Sequence, residues 1–297
     1  MVKNLCKNKF EKIIQRSYDK GNSTQCCLCP NLCILKKDQI GACFVRKNVN
    51  NTIELSEYGK ITTISVDPIE KKPFYHYMPG SKTLSFGGFG CSMRCDYCEN
   101  YEISQKNLSN NSTYFSPSDL CDIADSKNCD ILCFTYNEPI IYFEYAIDVS
   151  IECKKRNKKF ILKTNAYCGE ESWKILCEHS DAINIDWKGS RERYKIVTSV
   201  DHEFIYDRIK DVVNNNIHLE ISVPVYYDSK YDDYNDFMDN VSVIDNNIPI
   251  HLLKIFPANK LSYICLTSDV LIKNVYKILK NKMNNVYIHG SDGNCNV

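Results

Sequence analysis

Beyond residue 98 the chain alternates short apolar runs with longer stretches in which apolar residues recur every three or four positions. The runs at 130–136, 159–165, 182–188, 217–225 and 249–256 predict strands, with a weaker one near 285–289. Amphipathic stretches near 117–127, 139–157, 170–179, 202–215, 231–245 and 267–282 predict helices between them. Ser116-Pro117 and Glu138-Pro139 mark two helix starts, because proline is tolerated in a first turn whose N–H groups have no partner. Upstream, Leu84 to Gly90 supplies an opening strand, and the alternation from Thr52 to Asp67 suggests one or two short strands.

Strand, helix and strand repeated this often imply parallel pairing with right-handed crossovers. Six such units make a partial or closed barrel, with a flat doubly wound sheet as the alternative. Side-chain parity favours a barrel with a polar lumen. Asn184, Asp186 and Lys188 share one face of their strand, while Ile183, Ile185 and Trp187 share the other. His218, Glu220 and Ser222 likewise oppose Ile217, Leu219, Ile221 and Val223. A strand with one polar face and one helix-packing face suits a barrel enclosing a site, and that site lies at the carboxyl ends of the strands.

Length and charge narrow the function classes. The 297 residues fit one large α/β domain or a smaller barrel with an appendage. Basic and acidic residues balance at 37 each, which disfavours nucleic-acid binding, since that needs a cationic surplus to displace counterions. Residues 1–25 carry Lys3, Lys7, Lys9, Glu11, Lys12 and Arg16 and no apolar run resembling a signal peptide. No stretch approaches the roughly 20 apolar residues that span a bilayer. The expected setting is the cytoplasm, with no membrane partner.

Cysteine then changes the picture. The chain has 17, an odd number, in a length that needs no disulfide staples. In a reducing cytosol such thiols are either small buried hydrophobes or metal ligands. One group, Cys91-Ser92-Met93-Arg94-Cys95-Asp96-Tyr97-Cys98, follows Gly87-Gly88-Phe89-Gly90 on a loop directly after the opening strand. Three thiolates there can bind three irons of a [4Fe–4S] cubane and leave the fourth iron open. An open iron can chelate the amino and carboxylate groups of S-adenosylmethionine (SAM). The glycines allow a tightly bent backbone, and Tyr97 either covers the cluster or contacts the SAM adenine. A structural zinc site or a ferredoxin-type cluster would each want a fourth protein ligand nearby.

A second group, Cys26, Cys29, Cys33 and Cys43, has the spacing C-x2-C-x3-C-x9-C. Four thiolates suffice for a closed tetrahedral zinc site or for a second iron–sulfur cluster, and the spacing does not choose between them. Cys27 reads as a bystander. Cys121, Cys129, Cys133, Cys153, Cys168, Cys177 and Cys265 fall in strand or helix patterns and read as core thiols.

The Cys91–Cys98 segment matches the CxxxCxΦC motif, with Φ aromatic, and so resembles the radical SAM enzymes. Asp67-Pro68-Ile69-Glu70-Lys71-Lys72-Pro73-Phe74-Tyr75-His76, Thr135-Tyr136-Asn137-Glu138-Pro139 and Asn184-Ile185-Asp186-Trp187-Lys188-Gly189 extend the likeness. They resemble segments of the AmmeMemoRadiSam-system radical SAM enzymes, relatives of pyruvate formate-lyase activating enzymes. The resemblance covers roughly residues 25–290. It implies an α/β fold, a partial (βα)6 TIM-like barrel over 81–297, behind a Cys-rich N-terminal extension over 1–80 with a metal site of its own. It also implies one-electron reduction of the cluster and reductive cleavage of SAM to methionine and a 5′-deoxyadenosyl radical.

By the same resemblance, Glu138 meets the SAM ammonium, and Thr164 and Asn165 make polar contacts to SAM. Asp186 and Lys188 match the Asp-x-Lys near SAM and substrate in activating enzymes. Lys254 stands where the family usually has arginine, so it can bind a carboxylate only without the bidentate fork. His76 is a candidate to face substrate. The expected substrate is a peptide or protein, with a small metabolite as a variant and an electron donor such as flavodoxin or ferredoxin as partner. A non-catalytic iron–sulfur carrier is the competing reading. The chain also departs from the family pattern. It ends with Cys295 rather than Cys-Pro-x-Cys, and Val223-Pro224-Val225-Tyr226-Tyr227-Asp228 lacks the usual Pro-Gly-x-Asn-Asp.

Overall fold

The computed structural model describes residues 10–18, 22–198, 200, 202 and 204–289. The chain divides into two compact units, Met1–Asp67 with Lys82–Ser92 and Glu102–Asp181, and Pro68–Ser81 with Met93–Tyr101 and Ala182–Val297.

The first unit opens with strands the sequence pattern did not reveal. β1 (Gln15–Tyr18), β2 (Ser23–Cys26) and β3 (Ile34–Lys36) form an antiparallel sheet. β4 (Arg46–Val49) and β5 (Thr52–Leu55) form a hairpin. Its turn residues Asn50 and Asn51 have φ of 50° and 63°, the left-handed region that asparagine tolerates and a two-residue hairpin needs. β6 (Lys60–Ile61) and β7 (Thr63–Pro68) precede β8 (Lys82–Gly87), and β9 (Thr113–Tyr114) pairs with β6. β8, β10 (Ile131–Phe134) and β11 (Lys159–Thr164) then pair in parallel, with Leu84, Leu132 and Phe160 in register.

These strands are buried on both faces, so their residues read as near-continuous apolar runs. Phe86 and Phe134 sit side by side on adjacent strands, their rings tilted to each other with centroids 4.7 Å apart. Helices Pro117–Ser126, Phe143–Lys155 and Glu170–Glu178 alternate with them. The first starts where expected: Ser116 Oγ accepts from the Asp119 amide, and the Asp119 carboxylate accepts from the Ser116 amide.

In the second unit β12 (Ala182–Asp186), β13 (His218–Val225), β14 (Ile250–Lys254) and β15 (Val286–His289) pair in parallel in chain order. Helices Ile205–Asn214, Asn235–Asp245 and Asp269–Leu279 sit within the predicted ranges. A further helix, Arg191–Thr198, was not foreseen, because Arg191, Glu192, Arg193 and Lys195 hide its period. The predicted parity holds. Ile183, Ile185 and Trp187 are fully buried, with Trp187 against Phe237 at 4.8 Å. On the opposite face Asn184 Oδ1 accepts from the Ser222 hydroxyl at 2.7 Å, and Asn184 Nδ2 donates to the Pro73 carbonyl at 2.7 Å.

Of the cysteines expected in the core, six are buried; Cys265 is exposed. It lies in the apolar-looking stretch Tyr263–Leu266, which follows β14 as a loop rather than a strand or helix, with Tyr263 and Leu266 also exposed. Cys295 and its tail lie outside the described residues. No helix among the described residues is long and apolar enough to cross a membrane.

Candidate active site

The loop that leaves β8 is shaped by what surrounds it in the first unit. Gly90 has φ +76°, and a Cβ there would stand 2.0 Å from the Cys43 carbonyl oxygen. A Cβ on Gly88 would stand 2.4 Å from the Tyr142 ring. Glycine is required at both positions by close approach, and at Gly90 by backbone conformation as well. Asn137 clamps the same turn: its Oδ1 accepts from the Gly88 amide at 3.1 Å and its Nδ2 donates to the Phe89 and Gly90 carbonyls at 3.2 Å. Tyr142 Oη accepts from the Phe89 amide at 3.1 Å. Asn137 and Tyr142 were not singled out from sequence, because nothing in their local pattern announces a long-range clamp.

Cys91 follows this turn. Asn165 Nδ2 lies 3.7 Å from Cys91 Sγ and 3.3 Å from Ser92 Oγ. Asn165 is in turn fixed by Glu138, whose carboxylate accepts from the Asn165 amide at 2.9 Å, the Thr164 hydroxyl at 2.6 Å and the Ile140 amide at 3.2 Å. Glu138, Thr164 and Asn165 are all buried. The structure thus joins three predicted residues, from the ends of β10 and β11, into one network reaching Cys91.

The second unit assembles the other half of the predicted set. Asp186 ends β12, and Lys188 Nζ donates to its carboxylate at 3.0 Å. Burial disfavours the Lys188 charge, but Asp186 and Cys95 beside it outweigh that and hold its pKa above the ordinary lysine value. Burial pushes the Cys95 thiol up to about 12, and Lys188 is the main opposing influence. Lys188 Nζ also lies 5.7 Å from the centre of the Tyr97 ring, within cation–π range. Tyr97 packs edge-on against Tyr226 at 5.4 Å, and Tyr226 Oη donates to the Lys188 carbonyl at 2.7 Å. Asn259 Nδ2 holds the Cys95 carbonyl at 3.0 Å. Lys254 points elsewhere: its ammonium pairs with Asp269 at 2.6 Å.

Two more groups complete the inventory. Cys26, Cys29, Cys33 and Cys43 line one small cavity together with Arg46. Burial raises Cys26 to about 12 and moves Cys29 and Cys43 in the same direction. As the side chains stand, no group of three or more His, Cys, Asp or Glu among the described residues is arranged to hold a metal ion. In the second unit Glu220, fully buried, accepts from the Tyr75, His76 and Tyr77 amides at 2.8, 2.9 and 3.2 Å and bonds His218 and His251. His76, a candidate substrate contact, bonds Tyr287 Oη through its ring at 2.7 Å.

The sequence profile of the Radical SAM superfamily matches residues 86–241, from the last residues of β8 to the helix after β13. This chain belongs to the radical SAM superfamily. An uncharacterized protein of Methanocaldococcus jannaschii is 31% identical over 260 residues, covering 82% of this chain and 75% of that protein. The 4-hydroxyphenylacetate decarboxylase activating enzyme of Clostridioides difficile is 26% identical over 183 residues, 54% of each chain. Among solved structures, Streptococcus suis SuiB bound to its precursor peptide SuiA superposes with a TM-score of 0.54 at 14% identity, over 70% of this chain and 48% of SuiB. The chain therefore spans about half the length of the activating enzyme and of SuiB.

The fold is the radical SAM α/β fold, a partial TIM-like (βα)6 barrel with a Cys-rich N-terminal region ahead of it. The superfamily implies a [4Fe–4S] cluster and SAM as cofactors. The residues present suit that cluster: three half-buried thiols in C-x3-C-x2-C spacing follow a strand end whose glycines admit no Cβ.

Proposed function

We propose that this radical SAM protein holds a [4Fe–4S] cluster through Cys91, Cys95 and Cys98 and uses it to cleave SAM reductively. The resulting 5′-deoxyadenosyl radical removes hydrogen from a peptide or protein substrate. The observation that carries this reading is the thiol triad on the glycine-shaped loop, buttressed by Asn165 at Cys91 and by Lys188 at Cys95. When bound, the cluster supplies the electron that breaks the SAM sulfonium bond; that chemistry is the cofactor's.

The chain's own residues bind and orient. Glu138, Thr164 and Asn165 set the end of β11, where a buried polar lining receives the SAM amino acid moiety. Tyr97 offers an aromatic face to the adenine. Asp186 and Lys188 form a half-buried charged pair suited to contact SAM and substrate and are the proposed catalytic residues, while Lys254 is engaged by Asp269 and is given no SAM contact. Residues 1–80 act as the Cys-rich extension and 81–297 as the catalytic barrel. The activating enzyme's name supports a protein substrate, since that relative acts on another enzyme. A small protein such as flavodoxin or ferredoxin is the proposed reductant, in the cytoplasm.

The competing carrier reading separates cleanly in one experiment. Anaerobically reconstituted protein is reduced with dithionite and its electron resonance spectrum recorded with and without SAM. Ligation of SAM at an open iron changes the signal. A cluster signal indifferent to SAM would leave a carrier, and absence of iron would remove the reading altogether.

A further inference from the structure

We infer that the Asp186–Lys188 pair works as an oriented dipole, its ammonium end toward Cys95, and so sets how readily the cluster that Cys95 helps to hold takes up its electron. The inference rests on the cluster reading above and adds to the pair a role that contact with SAM or substrate does not require. All the residues that carry it lie in the second unit. A cluster's potential depends on the charges and dipoles around its thiolates, and those belong to the chain.

The ammonium has two defined neighbours. Lys188 Nζ donates to Asp186 Oδ2 at 3.0 Å and stands 5.7 Å from the centre of the Tyr97 ring. Tyr97 lies between Cys95 and Cys98 in the chain, so the cation reaches the loop that carries both thiols. The Lys188 carbonyl accepts from Tyr226 Oη at 2.7 Å, and Tyr226 packs edge-on against Tyr97 at 5.4 Å. Ile255 and Ile264 close the same apolar cluster around Tyr226 and Tyr97. The end of β12 and the thiol loop are thereby held to one another. The charges agree with that geometry: burial pushes the Cys95 thiol up, Lys188 is the largest influence against it, and Asp186 acts more weakly in burial's direction. The pair has no net charge, yet Cys95 meets its positive end.

A dipole matters only where water does not screen it. Lys188 and Asp186 are half-buried, while Tyr226 and Tyr194, which feels the Lys188 charge, are buried. Charges in such surroundings interact several times more strongly than in bulk water. Other cations of the unit are placed differently. Lys260 pairs with Asp96 at 2.8 Å but is exposed, so solvent and salt screen it. Arg193 lies over the Tyr226 ring at 4.6 Å and pairs with Asp228 at 3.0 Å. Arg94 Nη1 donates to the Met93 carbonyl at 3.0 Å.

Reduction adds one electron, and hence one negative charge, to the cluster; no proton moves and no bond breaks in that step. A positive end beside a ligating thiolate stabilises the reduced form and raises the potential. The Asp186 carboxylate offsets part of the ammonium's effect while holding it in place. Removing one member of the pair therefore shifts the potential one way, and removing the other shifts it the opposite way. Loosened packing, the result expected if the pair were only structural, would not give opposite signs.

The test reads a potential rather than turnover. The full chain, reconstituted anaerobically and kept free of SAM, is titrated with dithionite at controlled potential, and the reduced cluster is followed by electron resonance. Lys188→Met should lower the midpoint, so that the reduced fraction at the wild-type midpoint falls severalfold. Asp186→Asn should raise the midpoint, and Lys188→Arg should stay near wild type. Lys260→Gln, which removes an exposed charge, should leave the midpoint where it was. Unmoved midpoints, shifts of the same sign from Lys188→Met and Asp186→Asn, or a Lys260→Gln shift as large as that of Lys188→Met would overturn the inference while leaving the cluster intact. If Lys188→Met holds no iron, Asp186→Asn decides: a raised midpoint supports the inference and an unchanged or lowered one overturns it. A wild-type protein without iron would instead remove the cluster reading, and this inference with it.

Discussion

Two buried carboxylates, Glu138 and Glu220, are each saturated by donors from their own unit, and both act first as holders of backbone. Glu138 caps the Pro139–Tyr142 turn and receives Thr164 and Asn165. Glu138→Ala leaves several buried donors without an acceptor, at about 1–3 kcal/mol each. The variant should lose stability by at least one such increment in urea denaturation and bind SAM more weakly. Unchanged stability would place the carboxylate outside that network.

Glu220 gives a pH prediction. Burial would raise its pKa, but the bonds from His218 and His251 and the amides of Tyr75 to Tyr77 outweigh that and lower it from 4.5 to about 2. A carboxyl depressed in the folded state stabilises at pH above its unfolded value and loses that stabilisation as pH falls through the folded one. The shift corresponds to about 3 kcal/mol, disappearing between pH 4.5 and 2. Unfolding free energy measured across that window should fall more steeply in wild type than in Glu220→Gln. Parallel slopes would contradict the assignment.

At the scale of elements, the turn after β8 is the most constrained piece of backbone. Gly90→Ala adds a Cβ that would collide with the Cys43 carbonyl and strains a positive φ. The expected outcome is iron content at the cluster loop reduced severalfold after reconstitution, with a lower melting temperature. Iron content and melting temperature equal to wild type would show that the turn relaxes freely.

The parallel strands were legible because each is buried enough to read as an apolar run, and β12 and β13 showed their polar face through strict alternation. The antiparallel strands β1 to β4 were not, because they are short and half polar, as in Arg46–Val49 with its alternating burial, whereas β5 fell in the Thr52–Asp67 stretch where short strands were expected. The helix Arg191–Thr198 escaped for the related reason that charges fill half of its positions. Local pattern reports burial, and elements that bury little leave little to read.

For the molecule as a whole, the thiols divide by chemistry. The Cys91 triad was legible because its spacing and glycines are contiguous in sequence. Glu138, Thr164 and Asn165 were named by resemblance, and the structure adds that they are one hydrogen-bonded group. What stayed invisible was contact at long range: Asn137 on the glycine turn, Arg46 on Glu144, and Glu220 on the Tyr75–Tyr77 amides. None of these pairings leaves a mark in local periodicity.

The central claim is that the Cys91, Cys95 and Cys98 thiolates hold a cluster with one iron open to SAM. Formation of 5′-deoxyadenosine from SAM by the reconstituted, dithionite-reduced protein tests it most directly. Turnover is predicted for wild type and none for Cys95→Ala. A Cys95→Ala variant cleaving SAM at the wild-type rate, or an iron-loaded wild type producing no 5′-deoxyadenosine, would contradict it.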